Sequence, residues 1–155
     1  MNIKSTLIEA HIFRKIKSEL EFLIMKRAPN QIYAGVWQMV TGSREEGEKA
    51  FETALREIKE ETSLSPIGFW IVPNVNSFYS ATDNSLNMVP VFVAEVESSS
   101  DVILSCEHTK YLWCSKEEAK KLLAWPGQRK SVDIIAEYFS DNSSSLKLVE
   151  INNII

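Results

Sequence analysis

Residues 42–64 read GSREEGEKAFETALREIKEETSL, and the spacing of the carboxylates in this stretch governs everything that follows. From about Gly47 to Ser63 the pattern predicts a helix. At 100° per residue, Ala50, Phe51, Ala54, Leu55 and Ile58 share one arc of about 140°, the face expected to pack on a core. Glu57, Glu60 and Glu61 stand at i, i+3 and i+4 and occupy a different arc, about 100° wide. Like charges so placed destabilise a helix by about a few tenths of a kcal/mol per pair. Arg56, four residues before Glu60, relieves only part of that repulsion. Spacing alone leaves two readings open: a solvated charged helix, or a set of hard oxygen donors for a divalent cation such as magnesium.

The same stretch holds seven carboxylates and four basic side chains, so −3 of the formal −4 carried by all 155 residues lies within it. Outside it the chain is nearly neutral. With a pI near 5.3 and no basic domain, nothing favours a phosphate-tracking nucleic-acid surface. Hydrophobic residues at 45% and charged residues at 25% describe an ordinary globular domain. The longest apolar run, Met88 to Ala94, is far short of the roughly 18 residues of a membrane span. Lys4, Glu9, His11 and Arg14 interrupt the region where a signal peptide would need its apolar core. Cys106 and Cys114 lack metal-ligand spacing and are expected to be two reduced, partly buried thiols, which places the chain by default in the cytoplasm.

Strands are predicted near Leu7–Phe13, Phe22–Lys26, Val36–Val40, Ile67–Val72, Met88–Val96 and Thr109–Trp113, where β-branched and aromatic residues cluster. A second helix opens at Ser115, with Glu118 completing a capping box. A third is expected over Lys130 to Phe139, after Pro126-Gly127. The order β-β-β-α-β-β-β-α-α predicts an α+β or mixed α/β domain rather than regular βαβ winding. No internal repeat or long linker divides the chain, so residues 1–140 are read as one domain. The apolar tail, 141–155, is left open as an edge strand, a dimer contact or a disordered end.

Written as a pattern, the opening stretch is Gly42, five residues, Glu48, seven residues, Arg56-Glu57-Ile58, one residue, Glu60-Glu61, one residue, then Ser63-Leu64. This resembles the signature of the Nudix hydrolases at eight of its nine fixed positions. The departure is Ser63, where the signature has glycine after the helix end. A left-handed backbone there costs a residue with a Cβ roughly 1 kcal/mol. Ser63 is not an expected ligand, so the departure touches local geometry more than chemistry.

The resemblance implies an α+β fold, an α/β/α sandwich around a central mixed sheet. It implies hydrolysis of a nucleoside diphosphate linked to another group, with magnesium or manganese as cofactor. By that resemblance Glu60 and Glu61 are the principal metal ligands, with the Thr41 carbonyl as a backbone ligand. Glu57 binds a second metal or orients the attacking water. Gly42, Glu48 and Arg56 are structural parts of the motif, Arg56 fixing the carboxylates. Where the family places an additional base on a later loop, this chain offers Glu107, in the setting Glu107-His108-x-x-Tyr111-x-Trp113, with His108 structural. A polyanionic substrate would be repelled by such a helix unless cations lay between them.

Trp37-Gln38-x-Val40-Thr41-Gly42-Ser43 and the regions of Glu107–Trp113 and Trp125 extend the likeness to the bacterial branch that cleaves dihydroneopterin triphosphate or dATP. Diadenosine polyphosphate hydrolases share parts of these segments. The expected partner is therefore a small nucleoside or pterin polyphosphate, with neither nucleic acid nor membrane, and a homodimer is compatible. Lys26 and Arg27 are candidates for the phosphate chain. Trp37, Phe78 or Tyr79 are candidates to stack on a ring, and Gln38 to hydrogen-bond it. For each aromatic residue, core packing is an equal alternative. A catalytically silent nucleotide sensor is the remaining class. Such domains commonly lose box carboxylates and carry a DNA-binding appendage, whereas here the carboxylates are present and no room for an appendage is expected.

Overall fold

The computed structural model describes residues 1–140 and 145–152. Eight strands form one sheet: β1 (Asn2–Lys4), β2 (Leu7–Ile16), β3 (Glu19–Arg27), β4 (Trp37–Gln38), β5 (Val40–Ser43), β6 (Gly68–Ser80), β7 (Ser85–Glu95) and β8 (His108–Cys114). The helices are α1 (Ala50–Thr62), α2 (Lys116–Leu122), α3 (Pro126–Ser140) and α4 (Leu146–Val149). The main path runs β1-β7-β2-β3-β4, with β5 on β2, β6 on β7 and β8 on β3. β7 pairs in parallel with β1 and with β2, and the other pairings are antiparallel, so the sheet is mixed.

Strand alternation sorts this sheet into two buried faces. Ile8, Ala10 and Ile12 of β2 join Ala54 and Ile58 of α1 in one cluster. Phe13 of β2, with Trp70 and Val72 of β6, joins Ala119 of α2 and Val132 and Ile135 of α3 in the other. The sheet therefore lies between α1 on one face and α2 and α3 on the other, the expected α/β/α sandwich. All five residues of the predicted apolar arc pack on the α1 cluster. The same period-2 rule assigns Glu9 and His11 to the α3 face.

Several boundaries differ from the sequence reading. The strand expected over Val36–Val40 is two short strands, because β4 pairs with β3 while β5 pairs with β2. β6 continues eight residues past Val72, beyond a bulge between Val72 and Val75. That polar continuation, Asn74 to Ser80, carries few of the apolar residues that marked the first half. α3 begins four residues before the expected Lys130, with proline in its first position, where the missing N–H costs nothing. Of the tail, residues 141–144 and 153–155 lie outside the described residues. Its described part forms α4, with Leu146 and Val149 packed on the α3 cluster and Glu150 bridged to Trp70. Cys114 is buried but Cys106 is exposed, so the expectation of two partly buried thiols is corrected for Cys106. Among the described residues no helix is long and apolar enough to cross a membrane.

Ser63 caps α1 in the left-handed region, at φ 61°, the conformation glycine adopts most cheaply. Ser63→Gly should stabilise the fold by about 1 kcal/mol, read as a rise in melting temperature. His11 gives a second expectation. Burial pushes its imidazole down from 6.5 to about 3. Between those values the unfolded chain binds the proton and the folded chain refuses it, so stability falls as pH falls. From pH 7 to pH 5 this one group should cost about 2 kcal/mol. Urea titrations at both pH values should show that loss shrinking by the same amount in His11→Leu.

Candidate active site

The turn from β5 into α1 is built around one guanidinium. Arg56 donates through Nε to Glu48 Oε1 at 2.9 Å and through Nη2 to Glu48 Oε2 at 3.0 Å. Its Nη2 also reaches the Ser43 carbonyl at 3.0 Å, and its Nη1 reaches Glu57 Oε1 at 2.9 Å and Glu60 Oε2 at 3.3 Å. Bidentate charge-assisted bonds of this kind are short and directional. They fix Glu48, which also accepts from Thr53 Oγ1 at 2.7 Å and from the Glu45 N–H at 3.0 Å. The Arg56 hydrogen bonds hold the Glu48 carboxyl down to about 2, and Glu48 in turn raises the Arg56 pKa.

Gly42 has a steric reason. A Cβ at this position would overlap the Glu57 side chain, so only glycine lets β5 lie against that carboxylate. Glu57 is held above the ordinary carboxylate range by burial, which outweighs the opposing bond from Arg56, and Glu60 and Glu107 add to the rise. Glu61 is 2% exposed although it belongs to the predicted carboxylate arc. Burial, then the charges of Glu57 and Glu107, push it up to about 9. Its Oε2 is buried without a hydrogen-bond partner. The carboxylate helix is thus not simply a solvated face: Glu60 is exposed, while Glu61 turns inward beside Glu57 and Glu107.

Among the described residues no three acidic, histidine or cysteine side chains converge to enclose a metal ion. In this arrangement Arg56 takes up oxygens of Glu57 and Glu60, while Glu61 faces the interior. The donor set nevertheless fits a divalent cation. An unpartnered buried carboxylate oxygen, raised by two neighbouring carboxylates, is a hard ligand whose proton a cation would replace.

The remaining predicted residues divide between the two faces. Arg27 holds the following loop through Ile32 O at 2.6 Å and Gln31 Oε1 at 3.3 Å, and its charge lowers both Glu61 and His108. Gln38 is buried and lies 3.1 Å from His108 Nε2, so its amide is engaged within the protein. Burial, with the Arg27 charge, pushes His108 down to about 4. Glu107 lies in the turn immediately before β8, and its carbonyl accepts the Ala28 N–H at 2.8 Å. Thr41 is half-buried and pairs with Glu9 across β2 and β5. Trp37 packs on the α3 cluster. Tyr79 is exposed, pairs with Leu86 and donates to Asn84 Oδ1 at 3.1 Å. Glu57, Glu61, Glu107 and Arg27 are therefore brought together, and Gln38 adjoins them through His108; Trp37 and Tyr79 do not join them.

A second polar group, not singled out in the sequence, lies on the α3 face. Asn76 donates to Glu9 Oε2, and Asn74 donates to Asn76 Oδ1 at 3.0 Å and to Ser131 Oγ at 2.8 Å. Burial raises Glu9 to about 7, opposed by hydrogen bonds from Asn76 and Gln128. The signal was available: Glu9 is a carboxylate inside the apolar strand Leu7–Phe13.

The Gly42 geometry is testable. Gly42→Ala should lower stability by about 1–3 kcal/mol through overpacking. Adding Glu57→Ala should recover most of that loss in a double-mutant cycle followed by urea unfolding.

Comparison with known proteins sets this geometry in context. A family model described as NUDIX domain matches residues 9–134. The asymmetrical bis(5'-nucleosyl)-tetraphosphatase of Caenorhabditis elegans is 29% identical over 113 residues, covering 72% of this chain and 79% of that protein. A NUDIX hydrolase structure from Listeria monocytogenes superposes with TM-score 0.77 at 27% identity, covering 90% of this chain and 97% of the other. The dihydroneopterin triphosphate pyrophosphohydrolase of E. coli shares the fold, with TM-score 0.69 at 21% identity and coverage of 90% and 97%.

Proposed function

Because the chain belongs to the NUDIX domain family and is a hydrolase of phosphoanhydride bonds, we propose that it cleaves a nucleoside or pterin triphosphate to the monophosphate and pyrophosphate. Residues 1–140 are taken as the hydrolase domain, with 141–155 appended to it. The observation that carries the reading is Glu61, a buried carboxylate with an unpartnered oxygen beside Glu57 and Glu107. Carboxylates placed so close favour a polyanionic substrate only with cations between them.

Glu57, Glu60, Glu61 and the Thr41 carbonyl are the residues proposed to hold magnesium or manganese. Bound there, a divalent cation neutralises phosphate charge and lowers the pKa of a coordinated water. Arg56 presents Glu57 and Glu60 in a fixed array. Glu57 or Glu107 accepts the proton of the water that attacks phosphorus, since both lie beside the buried Glu61 and burial already favours the protonated form of Glu57. Arg27, whose charge reaches Glu61, is the residue proposed to meet the phosphate chain.

A second reading is favoured by one observation, the 29% identity with the asymmetrical tetraphosphatase. It assigns dinucleoside tetraphosphates as substrates and a nucleoside triphosphate as one product. A screen of triphosphates and diadenosine tetraphosphate with magnesium, with the products identified, separates the two. Monophosphate plus pyrophosphate is expected. Orthophosphate without pyrophosphate would sink the proposed bond choice, and cleavage confined to the tetraphosphate would establish the second reading. In the same assay Glu61→Gln should lower kcat by about 100-fold or more, because a metal ligand contributes several kcal/mol to transition-state stabilisation.

A further inference from the structure

The polar group on the α3 face is absent from the proposed hydrolytic chemistry, and its position gives it a use. Glu9 lies on β2 directly beside Thr41 of β5, but its side chain belongs to the face opposite α1. Asn76 of β6 donates to one oxygen, and Gln128 in the first turn of α3 also hydrogen-bonds it. Gly127 lets the start of the helix come this close, because a Cβ there would overlap the Asn76 amide. Asn74 ties the arrangement to Ser131 and to the Gly127 carbonyl, at 2.8 and 3.4 Å.

As a brace for α3 this network is poorly economised. Gln128 is 4% exposed, and its Oε1 has no hydrogen-bond partner. Among the described residues no salt bridge reaches Glu9. A carboxyl set into an apolar strand without a cation is costly, and a hydroxyl or an amide would brace the helix at less cost. A carboxylate offers about four acceptor sites, and its two amide partners leave capacity over. Glu9 is buried enough to be raised by desolvation but is not wholly enclosed. Beyond Asn76 the same face of β6 continues to Phe78, which is 48% exposed and pairs with Asn87. A hydrogen-bond acceptor with an exposed aromatic ring on the same face suits a flat heterocycle that carries donors.

We propose that Glu9, held between Asn76 and Gln128, is the specificity-determining residue that accepts a hydrogen bond from an exocyclic amino group on the substrate's ring. The substrate class is then narrowed to triphosphates of amino-bearing purines or pterins, with Phe78 flanking the ring. The inference rests on the triphosphate reading above and adds what the ring must carry.

The test compares wild type, Glu9→Ala and Glu9→Gln on GTP against ITP, on ATP against UTP, and on inorganic tripolyphosphate, which has no ring. Wild type should favour the amino-bearing member of each pair by at least about tenfold in kcat/KM. Glu9→Ala should raise KM for GTP and ATP by about the same factor, with kcat little changed and tripolyphosphate hydrolysis unaffected. Glu9→Gln keeps the shape and the amide contacts, so it should retain the wild-type melting temperature and lose the discrimination. Equal loss on all substrates, tripolyphosphate included, would overturn the proposal, as would wild-type indifference between GTP and ITP. Should wild type cleave no triphosphate, the hydrolytic reading fails by itself. Calorimetry of GMP and IMP in EDTA then decides: Glu9-dependent preference for GMP supports the ring subsite, and its absence overturns it.

Discussion

The constraint on which the site depends is the charge balance around Arg56. Glu48, Glu57 and Glu60 converge on it together with the Ser43 carbonyl. Without that guanidinium the carboxylates of Glu48, Glu57 and Glu60 would face one another with their repulsion unrelieved. With it, the loop is tied to the helix by directional bonds whose geometry a lysine ammonium does not reproduce. Arg56 is about a quarter exposed, so its value lies less in bulk stability than in orientation. Surface ion pairs are worth little individually; a bidentate pair that also serves two further carboxylates fixes directions.

The hydrophobic arc of α1 supplies the complementary force. Ala54 and Ile58 are fully buried against the sheet, and this anchors the helix in rotation about its axis. Once that rotation is set, Glu57 must lie against Gly42 and Glu61 must point inward, whatever the cost to their ionisation. The packing that stabilises the fold is therefore the same packing that raises the carboxylates. This is how a protein retains groups that are unfavourable in isolation: the penalty is local, and the core around it is not.

This coupling also explains what was legible in the sequence. The apolar arc and the capping box at Ser115 follow from patterns among neighbouring residues, which are visible in a string, whereas the sandwich and the left-handed position of Ser63 are implied by the resemblance to the Nudix signature. Partition between the two faces is visible only in part. Gln38 reads as a polar residue near a loop, yet it is buried against His108, seventy residues away in sequence. Tyr79 reads as a stacking candidate, yet it lies at the exposed far end of β6, where its hydroxyl is engaged with Asn84. The bulge between Val72 and Val75 is an insertion of irregular pairing that no local pattern announces. Glu9, Asn76 and Gln128 come from three elements far apart in the chain, and only the sheet order brings them together.

That sheet order places the two polar centres on opposite faces, with β5 between them. β5 is four residues long and pairs only with β2 among the described strands, so its other edge carries no strand. Consecutive strand residues point to opposite faces: Gly42 meets Glu57 on the α1 side, while Thr41 pairs with Glu9 on the other. On the proposed reading, a substrate held by Glu9 and hydrolysed beside Glu57 passes over this short edge, with its ring on one side and its phosphates on the other. A flexible triphosphate chain can make that turn, whereas a rigid rod cannot. Glycine at position 42 and the tether from Arg56 to the Ser43 carbonyl then act together. They hold the edge against α1, so that under the proposed reading the length of chain between ring and scissile bond enters recognition.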